Sequence, residues 1–162
     1  MKELLADFLF KLAAYLLPWI VRRFYRVERL IDHVKIRVQN EGDGITFNCG
    51  DLPFARVWLR ITNLSPIELE FDRIYGHVYH GSQLAEFQSL DRRKVPTASE
   101  IEFLIECPLT QDHVAFLRRN RNNRFDTSLS LNAYVHSRLH DFQIKGAQVR
   151  SKNVEFINCV AP

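Results

Sequence analysis

From residue 33 onward the hydrophobic residues recur at every second position, the period of a half-buried β-strand. Val34, Ile36 and Val38 alternate with Lys35 and Arg37. Residues 55–62 set Val57, Leu59 and Ile61 on one face and Arg56, Trp58 and Arg60 on the other. Ile67, Leu69 and Phe71 keep the odd phase. Ile74 and Val78 then switch to even, which predicts a bulge near Asp72 and Arg73. Further strands are expected at 45–47, 84–88, 101–107, 129–135, 142–149 and 154–160, with Ile101, Phe103, Ile105 and Cys107 inward. One helix interrupts them at 110–120. Thr110 can cap it, and either Val114 and Leu117 or Ala115 and Phe116 can face the sheets. About seven or eight strands at ~8–12-residue spacing, with no βαβ alternation, predict a mainly β, antiparallel β-sandwich of immunoglobulin type over residues 33–162.

The first 32 residues follow a different period. At ~100° per residue, Glu3, Asp7, Lys11, Ala14, Pro18 and Arg22 fall on one narrow stripe of a helix. Leu4, Leu5, Phe8, Leu9, Leu12, Tyr15, Leu16, Trp19 and Ile20 cover the rest. Pro18 kinks the helix or starts a second piece. The uninterrupted apolar run from Leu12 to Val21 is short of the ~20 residues that a lone membrane span needs, and no signal-peptide cleavage pattern follows Val21. Beyond Pro18, Arg22, Arg23, Arg26 and Arg29 interleave with Trp19, Phe24 and Tyr25, the pattern of a membrane interface where rings sit at headgroup depth and cations meet phosphates. Residues 1–32 are therefore read as a membrane-associating or docking helix. Its contacts are Leu5, Phe8, Leu9, Leu12, Leu16, Trp19, Ile20, Arg22, Arg23, Phe24, Tyr25, Arg26 and Arg29. Arginines placed after the apolar run favour the sandwich on the cytoplasmic side.

Composition sharpens this picture. With 46% apolar and 25% charged residues in 162, the chain is globular and long enough for one sizeable core. A net charge of +3 is too mild for a dedicated nucleic-acid binder. Residues 1–40 carry eight basic and four acidic side chains, so the basic excess lies wholly in the N-terminal segment. Three cysteines, Cys49, Cys107 and Cys159, are an odd number without CxxC spacing, which predicts buried free thiols in a reducing compartment.

Catalytic chemistry finds no foothold. The six histidines form no HExxH or carboxylate-bearing cluster. His77 and His80 fall on opposite faces of their strand, and His80 could meet His136 across strands. Neither a nucleophile elbow nor a phosphate loop is present. Glu68/Glu70 and Glu100/Glu102/Glu106 lie on outward strand faces, where cross-strand ion pairs can satisfy them. The basic stretches Arg92-Arg93-Lys94 and Arg118 to Arg124 read as solvated loops. Outward Trp58 between Arg56 and Arg60 is the stronger mark of a surface interface. No catalytic residue, metal or cofactor is assigned, and no nucleic-acid partner is expected.

Residues 55–71 (ARVWLRITNLSPIELEF) carry an alternating strand ending in Asn63, a turn through Leu64, Ser65 and Pro66, and an apolar strand with Ile67 and Leu69. YGHVYHG at 75–81, VPTAS at 95–99, IEFLIECPLT at 101–110 and the helix after it follow in order. This succession resembles the late-embryogenesis-abundant type 2 proteins, or WHy domain, over roughly residues 34–159. Two positions differ from the family pattern: Leu64 stands where it has proline, and Glu86 where it has a hairpin glycine. The resemblance implies a fibronectin-III-like sandwich, a non-enzymatic role linked to stress protection, and an N-terminal membrane anchor. It implies no catalytic residues.

The expected function is a non-enzymatic, membrane-associated sandwich that acts as a binding or stabilising module or as an accessory subunit of a membrane assembly. Anionic lipid is one partner, and self-association through the helix is another. Two alternatives remain: a lipid carrier with a cavity between the sheets, and a soluble desiccation protectant.

Overall fold

The computed structural model describes residues 7–12, 15, 22–39, 44–121, 125–151 and 154–159. Two five-stranded sheets face one another. The first holds β1 (Val34–Val38), β2 (Ile45–Asn48), β3 (Phe54–Asn63), β7 (Ser99–Pro108) and β10 (Val154–Ile157). The second holds β4 (Leu69–His80), β5 (Ser82–Ser89), β6 (Arg93–Val95), β8 (Thr127–Ser137) and β9 (Phe142–Ser151). Helix α1 (Val27–Asp32) leads into β1, and α2 (Gln111–Asn120) joins β7 to β8. The expected β-sandwich is present.

Each sheet has one long central strand. β3 pairs with β7 along its whole length, while its other edge is shared by β1, which meets Leu59 to Asn63, and β2, which meets Phe54 to Val57. β4 pairs with β8 on one side and with β6 and β5 in succession on the other. The predicted bulge is there: the register of β4 against β8 slips between Phe71 and Arg73. That slip lets the two apolar runs at 67–71 and 74–78 continue as one strand instead of two. The short strand β6 was not foreseen, because three residues carry too little alternation to be read. β10 ends at Ile157 and pairs with β2 in parallel, against the antiparallel rule followed by the other described strand pairs.

Alternation places the core where expected. Val57, Leu59, Ile61, Leu69, Phe71, Ile74, Val78, Phe103 and Ile105 are buried, and Phe71 of one sheet meets Phe103 of the other edge-on at 6.3 Å. Large rings thus fill the space between the sheets, which counts against a lipid cavity there. Helix α2 is capped as predicted: Thr110 Oγ1 accepts from the His113 amide and His113 Nδ1 accepts from the Thr110 amide, both at 3.3 Å, with Val114 and Leu117 buried beneath. Leu30 of α1 is also fully buried, and Tyr25, Val27 and Ile31 pack on the same core. Helix α1 therefore belongs with the sandwich, although it precedes residue 33.

The chain passes from one sheet to the other between β3 and β4, and Asn63 organises that passage. Its buried Nδ2 lies 2.8, 3.0 and 3.1 Å from the carbonyls of Ile67, Val95 and Pro96, so its two protons are shared among three acceptors. Its Oδ1 accepts from the Ser65 amide at 2.9 Å. The Ser65 hydroxyl lies 2.6 Å from that Oδ1 and 2.9 Å from the Ile67 carbonyl, so its one proton serves either. This is the turn chemistry read from the sequence, extended to the end of β6.

The cysteines depart from expectation. Cys49 and Cys159, 110 residues apart, are joined by a disulfide, and only Cys107 is a buried free thiol. The parallel β2–β10 pair carries both chain ends to the same place, where the Cys49 amide donates to the Ile157 carbonyl at 2.9 Å. No spacing rule could see a partner that far along the chain. Burial pushes the Cys107 thiol up to about 11, which leaves it unreactive.

Two stability measurements follow from these features. Asn63→Leu orphans several buried backbone groups and is expected to cost ~3–5 kcal/mol in urea denaturation; Asn63→Asp, which keeps the shape but loses the donor, should also destabilise. Replacing both Cys49 and Cys159 by alanine frees a long loop in the unfolded chain and should cost about 2–5 kcal/mol by the same assay.

Candidate functional site

The N-terminal segment presents its faces in an unusual sense. Residues 7–12 are helical, and Asp7 and Lys11, one turn apart, form an ion pair at 2.6 Å. Both line a cleft of about 820 Å³ shared with Glu68, Glu70, Lys94 and His136 of the sandwich. Asp7 is half-buried at the rim of this cleft, and Lys11 is exposed. Phe10 instead turns onto the body of the protein, where it meets Tyr25 edge-on at 5.1 Å. The other apolar side chains described between residues 7 and 15 face solvent: Phe8 is 64% exposed, Leu9 53%, Leu12 44% and Tyr15 81%. Burial of apolar surface is the main driving force of folding, so a helix that serves only its own domain would show the reverse.

The arginines continue this surface. Arg23, Arg26 and Arg29 line a surface groove of about 420 Å³ together with exposed Phe24. Arg29 donates to the Phe24 carbonyl at 3.2 Å, and none of Arg22, Arg23, Arg26 and Arg29 makes an ion pair with a described residue. The Arg22 carbonyl lies 3.4 Å from His140 Nε2, which ties the segment to the β8–β9 turn. Of the predicted contact residues, Tyr25 is half-buried and belongs partly to the core; Leu5, Leu16, Trp19 and Ile20 lie outside the described residues. Among the described residues no helix is long and apolar enough to cross a membrane.

The second predicted surface is differently built. Arg56 is paired with Glu106 at 2.9 Å, and Arg60 with Glu102 at 3.0 Å and Glu100 at 3.5 Å. Arg37 joins the same ladder through Glu100 at 3.4 Å. These are the cross-strand pairs expected of the outward glutamates. Trp58 is half-buried opposite Leu104 in the β3–β7 register. Arg56 and Arg60 thus already have carboxylate partners and are poorly placed to recruit an anion.

Other charged groups are also accounted for within the fold. Arg92 pairs with Asp72, Arg93 with Asp91, and Lys94 with Glu68. Arg118 and Arg121 donate to the carbonyls of Cys49 and Cys159 at 2.9 and 3.5 Å, so they cap the disulfide's two chain ends instead of forming a free basic loop. His80 and His136 do not meet: β4–β8 pairing puts His80 opposite Thr127 and His136 opposite Glu70, at opposite ends of the strand. Among the described residues, no cluster of three or more histidine, cysteine or carboxylate side chains could hold a metal ion.

The outer face of the second sheet carries no sequence motif, yet it gathers Tyr75, Tyr79, Tyr134 and His77. Their even spacing on the outward phase of β4 was visible, but a polar aromatic on a solvated face is ordinary until the neighbouring strands are known.

No protein-family model matches the chain, and no curated protein matches it. Among solved structures, a protein from Archaeoglobus fulgidus is similar at 9% identity and a TM-score of 0.40, with 74% of this chain and 95% of that one covered. A protein from Arabidopsis thaliana solved in solution gives 13%, 0.39, 77% and 80%. A human ASH/PapD-like domain gives 13%, 0.34, 76% and 86%. At these identities only the fold is at issue, and the strand pairing of this chain already defines it as a β-sandwich.

One buried ionisable group makes the stability pH-dependent. His80 is 3% exposed, its Nδ1 lies 2.7 Å from Thr127 Oγ1, its Nε2 has no hydrogen-bond partner among the described residues, and the rings of Phe47, Phe125 and Phe156 surround it. Desolvation holds its pKa below the ordinary 6.5. As the pH falls through that value the unfolded chain takes up this proton first, so stability is retained above it and lost below it. Urea denaturation at pH 7.5 and 5 should show a larger loss for the wild type than for His80→Gln, by ~1 kcal/mol.

Proposed function

We propose that this chain is a non-enzymatic β-sandwich module that docks on an anionic membrane surface through its N-terminal segment and there holds a partner or a larger assembly. The observation that carries this reading is the outward apolar surface of the segment: Phe8, Leu9, Leu12, Tyr15 and Phe24 are all exposed. The groove formed by Arg23, Phe24, Arg26 and Arg29 supports anionic headgroups as the polar half of the contact. The resemblance to the type 2 late-embryogenesis proteins points the same way, toward a binding or protective role.

The disulfide bears on which side of the membrane the domain occupies. Such bonds persist in oxidising compartments. The Cys49–Cys159 bond therefore supports an oxidising side, in place of the cytoplasmic side that the arginine pattern alone favours.

Liposome flotation of the full chain tests the reading. The protein should float with anionic vesicles and much less with neutral ones. Replacing Arg22, Arg23 and Arg26 by glutamine should weaken anionic binding by about a hundredfold, at ~1 kcal/mol per arginine. Leu9→Asp with Leu12→Asp should abolish flotation while the far-UV spectrum stays that of the wild type. Wild-type protein that fails to float and is oligomeric would overturn membrane docking and make the segment a self-association element.

A further inference from the structure

Residues 22–30 turn one side to the core and the other to solvent. Leu30 is fully buried, and Tyr25 and Val27 pack on the same core. Between these anchors, Arg22, Arg23, Phe24, Arg26 and Arg29 are exposed. Residues 22–29 contain four arginines and no lysine. Three of them, Arg23, Arg26 and Arg29, line the groove of about 420 Å³ with Phe24. Glu28 and Asp32, the acids of helix α1, are exposed but take no part in the groove's wall. The groove is therefore lined by cations and one ring, with no described carboxylate.

Its shape is set by the fold. The Leu30 amide donates to the Arg26 carbonyl at 3.1 Å, and the His33 amide to the Arg29 carbonyl at 3.3 Å. The Arg29 guanidinium donates to the Phe24 carbonyl at 3.2 Å. The charges themselves are unspent: Arg23 and Arg26 have no hydrogen-bond or ion-pair partner among the described residues. Arginines elsewhere are committed. Arg37, Arg56, Arg60, Arg92 and Arg93 are in ion pairs, and Arg118, Arg119 and Arg121 donate to backbone carbonyls.

We propose that this groove recognises phosphate monoester groups at a bilayer surface, as on phosphatidate, in preference to other anionic headgroups. The inference rests on the membrane-docking reading and names its ligand. A general attraction to anionic lipid needs only positive charge, which lysine supplies as well. A guanidinium is a planar fork that holds two oxygens at once, and lysine is a point charge. A phosphate monoester carries about −1.5 to −2 charges at pH 7 and three strong acceptor oxygens. A carboxylate or a phosphate diester carries one charge and two such oxygens. Three convergent forks without a competing carboxylate match the monoester best. Phe24 is 64% exposed at the groove's edge. Aromatic rings settle at headgroup depth, which places the groove level with the phosphates and favours a lipid over a soluble ester.

Vesicle binding of the full chain tests the proposal, with phosphatidate or phosphatidylserine in phosphatidylcholine, matched in zeta potential. The wild type should bind phosphatidate vesicles about tenfold more tightly, the worth of one further charge-assisted hydrogen bond. Arg23→Lys with Arg26→Lys and Arg29→Lys keeps the charge. It should bind the two vesicles equally, with the wild type's affinity for phosphatidylserine and an unchanged far-UV spectrum. Equal binding of both vesicles by the wild type, or a preference that survives in the folded lysine variant, would overturn this inference and leave membrane docking standing. A wild type that binds neither vesicle would remove the docking reading and this inference with it. Isothermal titration with glycerol 3-phosphate separates the sources: the soluble ester should bind far more weakly than the vesicle, and equal affinity would make a soluble phosphate the ligand and overturn the membrane assignment.

Discussion

The side-chain amide of Asn63 ties two backbone segments, the crossover at residues 65–67 and the end of β6 at residues 95–96, to the point where the chain leaves one sheet for the other. Its donors reach the carbonyls of Ile67, Val95 and Pro96, and its oxygen holds the Ser65 amide. Asn63, Ser65 and the bonds to Ile67 and Val95 are buried, where an unmet carbonyl is costly and a met one is held firmly, while the bond to Pro96 lies at the edge of the fold. The β3–β4 crossover, the start of β4 and the end of β6 are thereby set relative to one another. Once they are set, β3 and β4 become the central strands of their sheets, and every other strand takes its register from one of them, directly or through one neighbour.

The far end of the sandwich is closed by other means. The disulfide joins the ends of β2 and β10, and arginines from the end of α2 cover the two cysteine carbonyls. A four-residue parallel edge strand would be a weak element alone. Its covalent tie explains how it keeps its place.

With both ends secured, the molecule offers three surfaces of distinct character. One outer sheet face is self-neutralised by its ladder of ion pairs. The other sets the rings of Tyr75, Tyr134, His77 and Tyr79 among amides, hydroxyls and charges of both signs. The N-terminal segment holds Phe8, Leu9, Leu12 and Tyr15 outward, an arrangement that costs free energy in water and is relieved by an apolar partner. Function thus resides in surfaces, and the interior is devoted to packing.

Much of this was legible in the chain itself. The inward residues of β3, β4, β7 and β8, the bulge at Asp72, the Thr110 cap and the helical turns at residues 7–12 follow from local pattern, because the period of a strand or helix decides which side chains share a face. What local pattern could not supply was the neighbour across space. The partner of Cys49, the matching of Arg60 to Glu100 and Glu102, the burial of Leu30, the separation of His80 from His136 and the assembly of Tyr75 with Tyr134 all depend on which strands lie side by side. Strand order is chosen by the packing of the whole core, through contacts between residues far apart in the chain. The sequence by itself therefore determined the faces of each element, and the tertiary structure alone decided what those faces meet.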